Sequence, residues 1–146
     1  MLDSFQDLIE GLTETPSELR EILGNPVPDD VPEDVKVMLA ELGTRERVQV
    51  RRVQAVMRER MPRLRAIEYE PELRALDQHI DTPEAMLTEY NNQRSELVSL
   101  LVNLTLRDWD QKVDHDQQGE ITLADEIENH LAWDEEMLEK FRAAMA

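Results

Sequence analysis

The sequence predicts an all-α domain built as a bundle of four long helices, and three observations carry that expectation. Apolar residues recur at i, i+3, i+4 and i+7 in four separate stretches, each one buried stripe of a helix. Capping residues or prolines bound those stretches, and none alternates with the period of two that marks a half-buried strand. Aromatic residues make up 4% of the chain and glycines number 4, a composition that suits helices better than a sheet.

The first helix begins near Asp3, with Phe5, Leu8, Ile9 and Leu12 on one stripe. Thr15, Pro16 and Glu18 form a capping-box pattern with a first-turn proline, after which Leu19, Ile22 and Leu23 continue to Gly24. The segment is therefore one helix kinked at Pro16 or two short ones. Residues 25–30 (NPVPDD) are a proline-rich connection. Pro32 and Glu33 open the second helix, with Val35, Met38, Leu39, Leu42, Val48, Val53 and Met57 inward, a soft point at Gly43-Thr44, and Pro62 beyond its end.

Residues 65–81 have no sustained period and predict a long crossing with a short helical piece; His79 within it is expected at the surface. Thr82, Pro83 and Glu84 restart the chain. The third helix is expected to reach about Leu106, with Met86, Leu87, Tyr90, Leu97, Leu100, Leu101 and Leu104 inward. Residues 108–121 form a second long connection carrying Trp109, His115 and Gly119, in which Trp109 is expected to anchor the end of the third helix. Thr122 and Asp125 then cap the fourth helix, whose stripe runs Ile127, Leu131, Leu138, Phe141. The chain reads as one domain spanning 1–146.

Charge and composition exclude several classes. The net charge of −17 opposes nucleic acid and anionic membrane as partners, because phosphate binding needs a positive field. Residues 45–65 hold eight arginines and two glutamates, a local balance of +6 that leaves −23 on the remainder. Such a run reads as a solvated helix face balancing an acidic protein. With no cysteine, disulfides, thiolate sites and a cysteine nucleophile are absent, and any thiol chemistry would need a thiol arriving on a substrate. No apolar run approaches the roughly 20 residues of a membrane span, and residues 1–11 lack a secretory pattern, so a cytoplasmic protein is expected. No serine has a nucleophile-elbow context, and no catalytic residue is assigned.

The order of landmarks resembles the DinB-like (damage-inducible) four-helix bundle superfamily. These are Thr15-Pro16 in helix one, LGTRERV from Leu42, Arg94 before ELVSLL, and LRDWD from Leu106. His115 with Gly119, ITLAD from Ile121 and HLAWDEEML from His130 complete the series. The resemblance covers essentially the whole chain. It implies a bundle with long connections between helices two and three and between three and four. It also implies a divalent metal held by three histidines, one on helix two and an HxxxH pair on helix four, and in some members a thiol-dependent transferase.

Here the HxxxH pair falls on Trp133 and Met137, and the helix-two position on Arg45 or Glu46. Indole offers only an N–H donor and thioether is a poor ligand for zinc, nickel or manganese, so a degenerate metal site with no cofactor is expected. A substitute divalent-metal set is conceivable from Glu46, His130 and Asp134, the last two at i, i+4. Asp134 lies on the apolar stripe and needs a partner, which Arg94 or an arginine of residues 45–52 would supply. Arg94, Trp133 and Met137 are candidates for the wall of an apolar small-molecule pocket, against the alternative that Trp133 and Met137 fill the core. His115 sits in a polar loop without the spacing of a calcium loop, and the resemblance implies a loop-packing landmark there.

The expected function is that of a non-catalytic or metal-independent DinB-like member, a homodimeric, stress-associated bundle that binds a small molecule or a protein. Its rival is a metal-dependent transferase of the same class, using an external low-molecular-weight thiol and the substitute ligands.

Overall fold

The four amphipathic stretches become α1 (Leu2–Leu23), α2 (Glu33–Arg58), α3 (Pro83–Val102) and α5 (Leu123–Met145), with a short α4 (Leu106–Trp109) before the last. Three short strands join them: β1 (Arg63–Leu64), β2 (Lys112–His115) and β3 (Gly119–Thr122). The computed structural model describes residues 2–71 and 81–146. His79 and most of the predicted short helical piece lie outside the described residues.

The long helices form a four-helix bundle. α1 packs against α5 and α3, and α2 packs against α3 and α5. Consecutive helices α1 and α2 therefore take opposite corners, and residues 24–32 cross between them. Val27 and Val31 of that connection are buried in the apolar core. Glu84, in the first turn of α3, fastens the crossing. Its carboxylate accepts bonds from Arg20 Nη1 and Nη2 at 2.5 and 3.1 Å and from the Val27 backbone N–H at 2.9 Å. Gly24 closes α1 at φ +103°, a left-handed cap that a Cβ would strain.

α1 is one helix with Pro16 inside it, which settles the first alternative. Along α2 the inward stripe is Val35, Leu39, Leu42, Glu46, Gln49, Val53 and Val56. Val48 is only half-buried and Met57 is exposed, contrary to expectation. The reason is that the true 3.6-residue face passes through two polar residues, Glu46 and Gln49, rather than skipping to the nearest valine or methionine.

α3 also ends earlier than expected, at Val102. Thr105 accepts a bond from Asp108 N while the Asp108 carboxylate accepts one from Thr105 N, a reciprocal cap that starts a new helix. Trp109 closes that helix and stacks on Phe5 at 4.7 Å, tying this connection to the start of α1. The absence of strands expected from the sequence is corrected. β2 and β3 form an antiparallel hairpin with Val113 opposite Ile121, and β1 adds in parallel through Leu64 opposite His115. Strands of two and four residues are too short to show a period-two signal. Gly119, at φ +75°, makes the hairpin turn.

α5 begins as expected: Thr122 Oγ1 accepts from Asp125 N, and the Asp125 carboxylate accepts from Thr122 N, both at 3.1 Å. Among the described residues no helix is long and apolar enough to cross a membrane. The core is divided. One apolar cluster gathers Leu19, Leu39, Leu42, Tyr90, Met137 and Phe141; the other gathers Leu12, Val50, Val53, Leu97, Leu101 and Ile127. In sequence, each helix carries polar residues at the change from one cluster to the other.

Candidate functional site

Those polar residues form one buried layer. Thr15 comes from α1, Glu46 and Gln49 from α2, Arg94 from α3, and His130 and Asp134 from α5, every one of them buried. Arg94, 1% exposed, is its centre. Its Nε and Nη2 donate to Glu46 Oε2 and Oε1 at 2.6 and 2.9 Å. Its Nη1 and Nη2 donate to Asp134 Oδ2 and Oδ1 at 2.8 and 2.9 Å. Two carboxylates thus grip one planar fork, the geometry that guanidinium supplies and ammonium does not.

Pro16 explains a further contact. It has no N–H, so the Leu12 carbonyl four residues earlier lacks its usual helical donor. Arg94 Nη1 takes that carbonyl at 2.8 Å. The proline inside α1 therefore creates the acceptor through which α3 is joined to α1. Thr15 Oγ1 adds a bond to Asp134 Oδ2 at 3.0 Å.

His130 is held from both sides. Arg45 Nε donates to its Nδ1 at 3.0 Å, which assigns the proton to Nε2, 2.8 Å from Glu46 Oε1. Burial works against the Glu46 carboxylate. His130, whose Nε2–H points at it, and the Arg94 charge, together with the hydrogen bonds from both, outweigh it and hold its pKa at about 2. Burial also works against the Arg94 guanidinium, and the facing carboxylates more than offset it, so Arg94 stays charged. Tyr90 lies against Arg94, 5.3 Å from guanidinium carbon to ring centre.

The structure therefore brings Glu46, His130 and Asp134 together, as the substitute ligand set requires. It places Arg94 among them. Both oxygens of Glu46 and both of Asp134 accept N–H bonds from the guanidinium, and His130 Nδ1 accepts one from Arg45. A divalent cation would need those same lone pairs while facing a fixed positive charge, so these residues as arranged do not fit one. Arg94, Trp133 and Met137 do not share a pocket wall. Arg94 is in the polar layer, Met137 is in an apolar cluster, and half-buried Trp133 faces a separate cavity.

That cavity, about 550 Å³, lies between α2, α5, the β2–β3 hairpin and residues 66–69. Its lining is more polar than the apolar pocket expected from the sequence. The Arg45 guanidinium lies over the Trp133 ring at 4.7 Å, with Nη1 3.5 Å from the Tyr69 hydroxyl. Arg52 donates to Glu126 Oε2 and to the Arg65 carbonyl, the latter at 2.5 Å. Gln49 Nε2 reaches the same Glu126 oxygen at 3.3 Å. From the sequence Thr15 reads as a cap and Arg52 only as one of the arginines of residues 45–52 that would pair with Asp134; Gln49 and Glu126 were not singled out. Their signal was present: Gln49 and Glu126 are polar residues at inward helix positions, as Glu46 and Asp134 are.

No family model matches this chain, and no curated protein matches it. Among solved structures the chain is similar to YfiT from Bacillus subtilis, described as a probable metal-dependent hydrolase with an unusual four-helix bundle topology. The likeness has a TM-score of 0.80 and 18% identity, over 97% of this chain and 85% of that one. The shared property is the fold. At this identity the hydrolase description belongs to YfiT.

Proposed function

We propose that this protein is a DinB-like bundle without a metal centre, binding a small polar molecule in the cavity walled by Arg45 and Trp133. One observation carries the proposal: Arg94 engages both oxygens of Glu46 and both of Asp134, so the cation at the bundle centre is part of the chain. Binding moves to the adjacent cavity, whose size falls in the usual range for small-molecule sites. The Arg45–Trp133 stack offers a charged edge and an aromatic surface there. The homodimer, the cytoplasmic location and the stress-associated role implied by the resemblance are parts of the same proposal.

Two measurements test it. Elemental analysis of untagged protein is expected to find no stoichiometric transition metal, and Trp133 fluorescence is expected to respond to members of a panel of small polar molecules. Silence across a broad panel would refute the binding reading, and a monomer by light scattering at micromolar concentration would refute the dimer. A second reading has its own support, because Glu46, His130 and Asp134 do converge and the similar fold of YfiT is described as that of a probable metal-dependent hydrolase. One metal ion per chain, lost in His130→Ala, would replace the first reading with a metal-dependent enzyme.

A further inference from the structure

Glu126 is fully buried, yet its two carboxylate oxygens are treated differently. Oε2 accepts from Arg52 and Gln49, whereas Oε1 has no hydrogen-bond partner. Glu126 lines the 550 Å³ cavity, and His115 on β2 lines it as well, with Nε2 3.9 Å from Glu126 Oε1. The state of His115 follows from its other nitrogen. Nδ1 accepts the backbone N–H groups of Gln117 and Gln118, each at 3.1 Å. A backbone N–H only donates, so the ring proton sits on Nε2. A carboxylate acceptor and an imidazole donor thus face one another across a gap too wide for a direct bond.

A buried acceptor left unmatched is unfavourable, so a group that completes it is bound preferentially. The group that suits both sides gives one hydrogen and accepts another at a single atom, which describes a hydroxyl. The remaining walls select the rest of the molecule. Arg45 lies with its face on Trp133 and has no ion-pair partner among the described residues, which leaves its edge for an anion. Trp133 and Tyr69 supply aromatic surface.

We propose that the cavity binds a small aromatic hydroxy acid. Its hydroxyl sits between His115 Nε2 and Glu126 Oε1, and its carboxylate lies at Arg45. This inference rests on the cavity-binding reading above and narrows it to a ligand class.

The test compares mandelate with phenylacetate, which lacks only the hydroxyl, by calorimetry and by Trp133 fluorescence on the whole chain. Trp133→Phe identifies which tryptophan reports. Mandelate is expected to bind at least about tenfold tighter than phenylacetate, because a site built around a hydroxyl rejects the analogue without it. Glu126→Gln is expected to narrow the ratio of mandelate to phenylacetate affinity, read within the variant because the lost charge moves both acids together, and an unchanged ratio would overturn the hydroxyl subsite. Equal binding of the two acids would overturn the hydroxyl subsite and leave the cavity reading standing. No binding of either at about 10 mM, where even millimolar affinity would register, would overturn the hydroxy-acid class; the broad panel then judges the cavity separately. If Glu126→Gln loses its helical circular dichroism, the comparison on the unmodified chain decides alone.

Discussion

Replacing Arg94 by methionine removes the cation but keeps most of the side-chain volume. Glu46 and Asp134 would remain buried with four oxygens stripped of their Arg94 donors, and the Leu12 carbonyl above Pro16 would lose its partner. Breaking one side of a buried ion pair costs about 3–5 kcal/mol, a large part of the stability of an ordinary domain. For a chain of this length that corresponds to a fall in Tm of roughly 10 °C. The assay is thermal and urea unfolding of the native and Arg94→Met proteins at pH 7. A pH series adds a sign. Without the guanidinium, burial would raise the Glu46 carboxyl above its ordinary value, so the variant should recover part of its loss as pH falls from 7 to 5. The double variant Glu46→Gln, Arg94→Met should be more stable than Arg94→Met alone, with coupling on the order of 1–3 kcal/mol. A Tm within about 2 °C of native for Arg94→Met, without coupling to Glu46, would refute the central role of this cluster.

In the native protein Glu46 titrates in the opposite sense. Its carboxyl is lowered from 4.5 to about 2, so its stabilisation, on the order of 3 kcal/mol, is present above pH 4.5 and is lost as pH falls toward 2. Acid unfolding of Glu46→Gln should lack that component; an unchanged acid limb would contradict it. Glu84 is also lowered to about 2, first by its bond from Arg20, but it is partly exposed. Glu84→Gln should therefore cost only about 1 kcal/mol near neutral pH, and the melting curves of the two proteins should converge as pH drops through the same window. Pro16→Ala restores an N–H for the Leu12 carbonyl. It should stabilise Arg94→Met more than the native protein, by about 1 kcal/mol, and equal effects in the two backgrounds would show that Arg94 does not replace the missing donor.

The buried layer also bears on how the bundle finds one arrangement. An apolar stripe tolerates a shift of one turn along its neighbour, whereas Arg94 is paired only when positions 12, 46 and 134 arrive at the same level. Proline and arginine act together here, since the first exposes the acceptor that the second takes.

The amino-acid sequence by itself determined what is local. Four helices follow from the 3.6-residue spacing of apolar positions, and the starts of α3 and α5 follow from Thr82-Pro83 and from the Thr122–Asp125 box. The shared order of landmarks pointed to the bundle type for the same reason, because it depends on short runs read one at a time. Asp134 on an apolar stripe even required a partner, and Arg94 was among the named candidates. Tertiary structure alone decided which inward polar groups meet. Leu12, Glu46, Arg94 and Asp134 lie on four different helices, with α1 and α2 at opposite corners. Periodicity states that a residue faces inward; it carries no information on the level or the neighbour it meets. The cavity beside Trp133 was hidden for the same reason, since β2, α2 and α5 each supply one wall. Packing brings Glu126 within 3.9 Å of His115 and leaves one carboxylate oxygen without a partner.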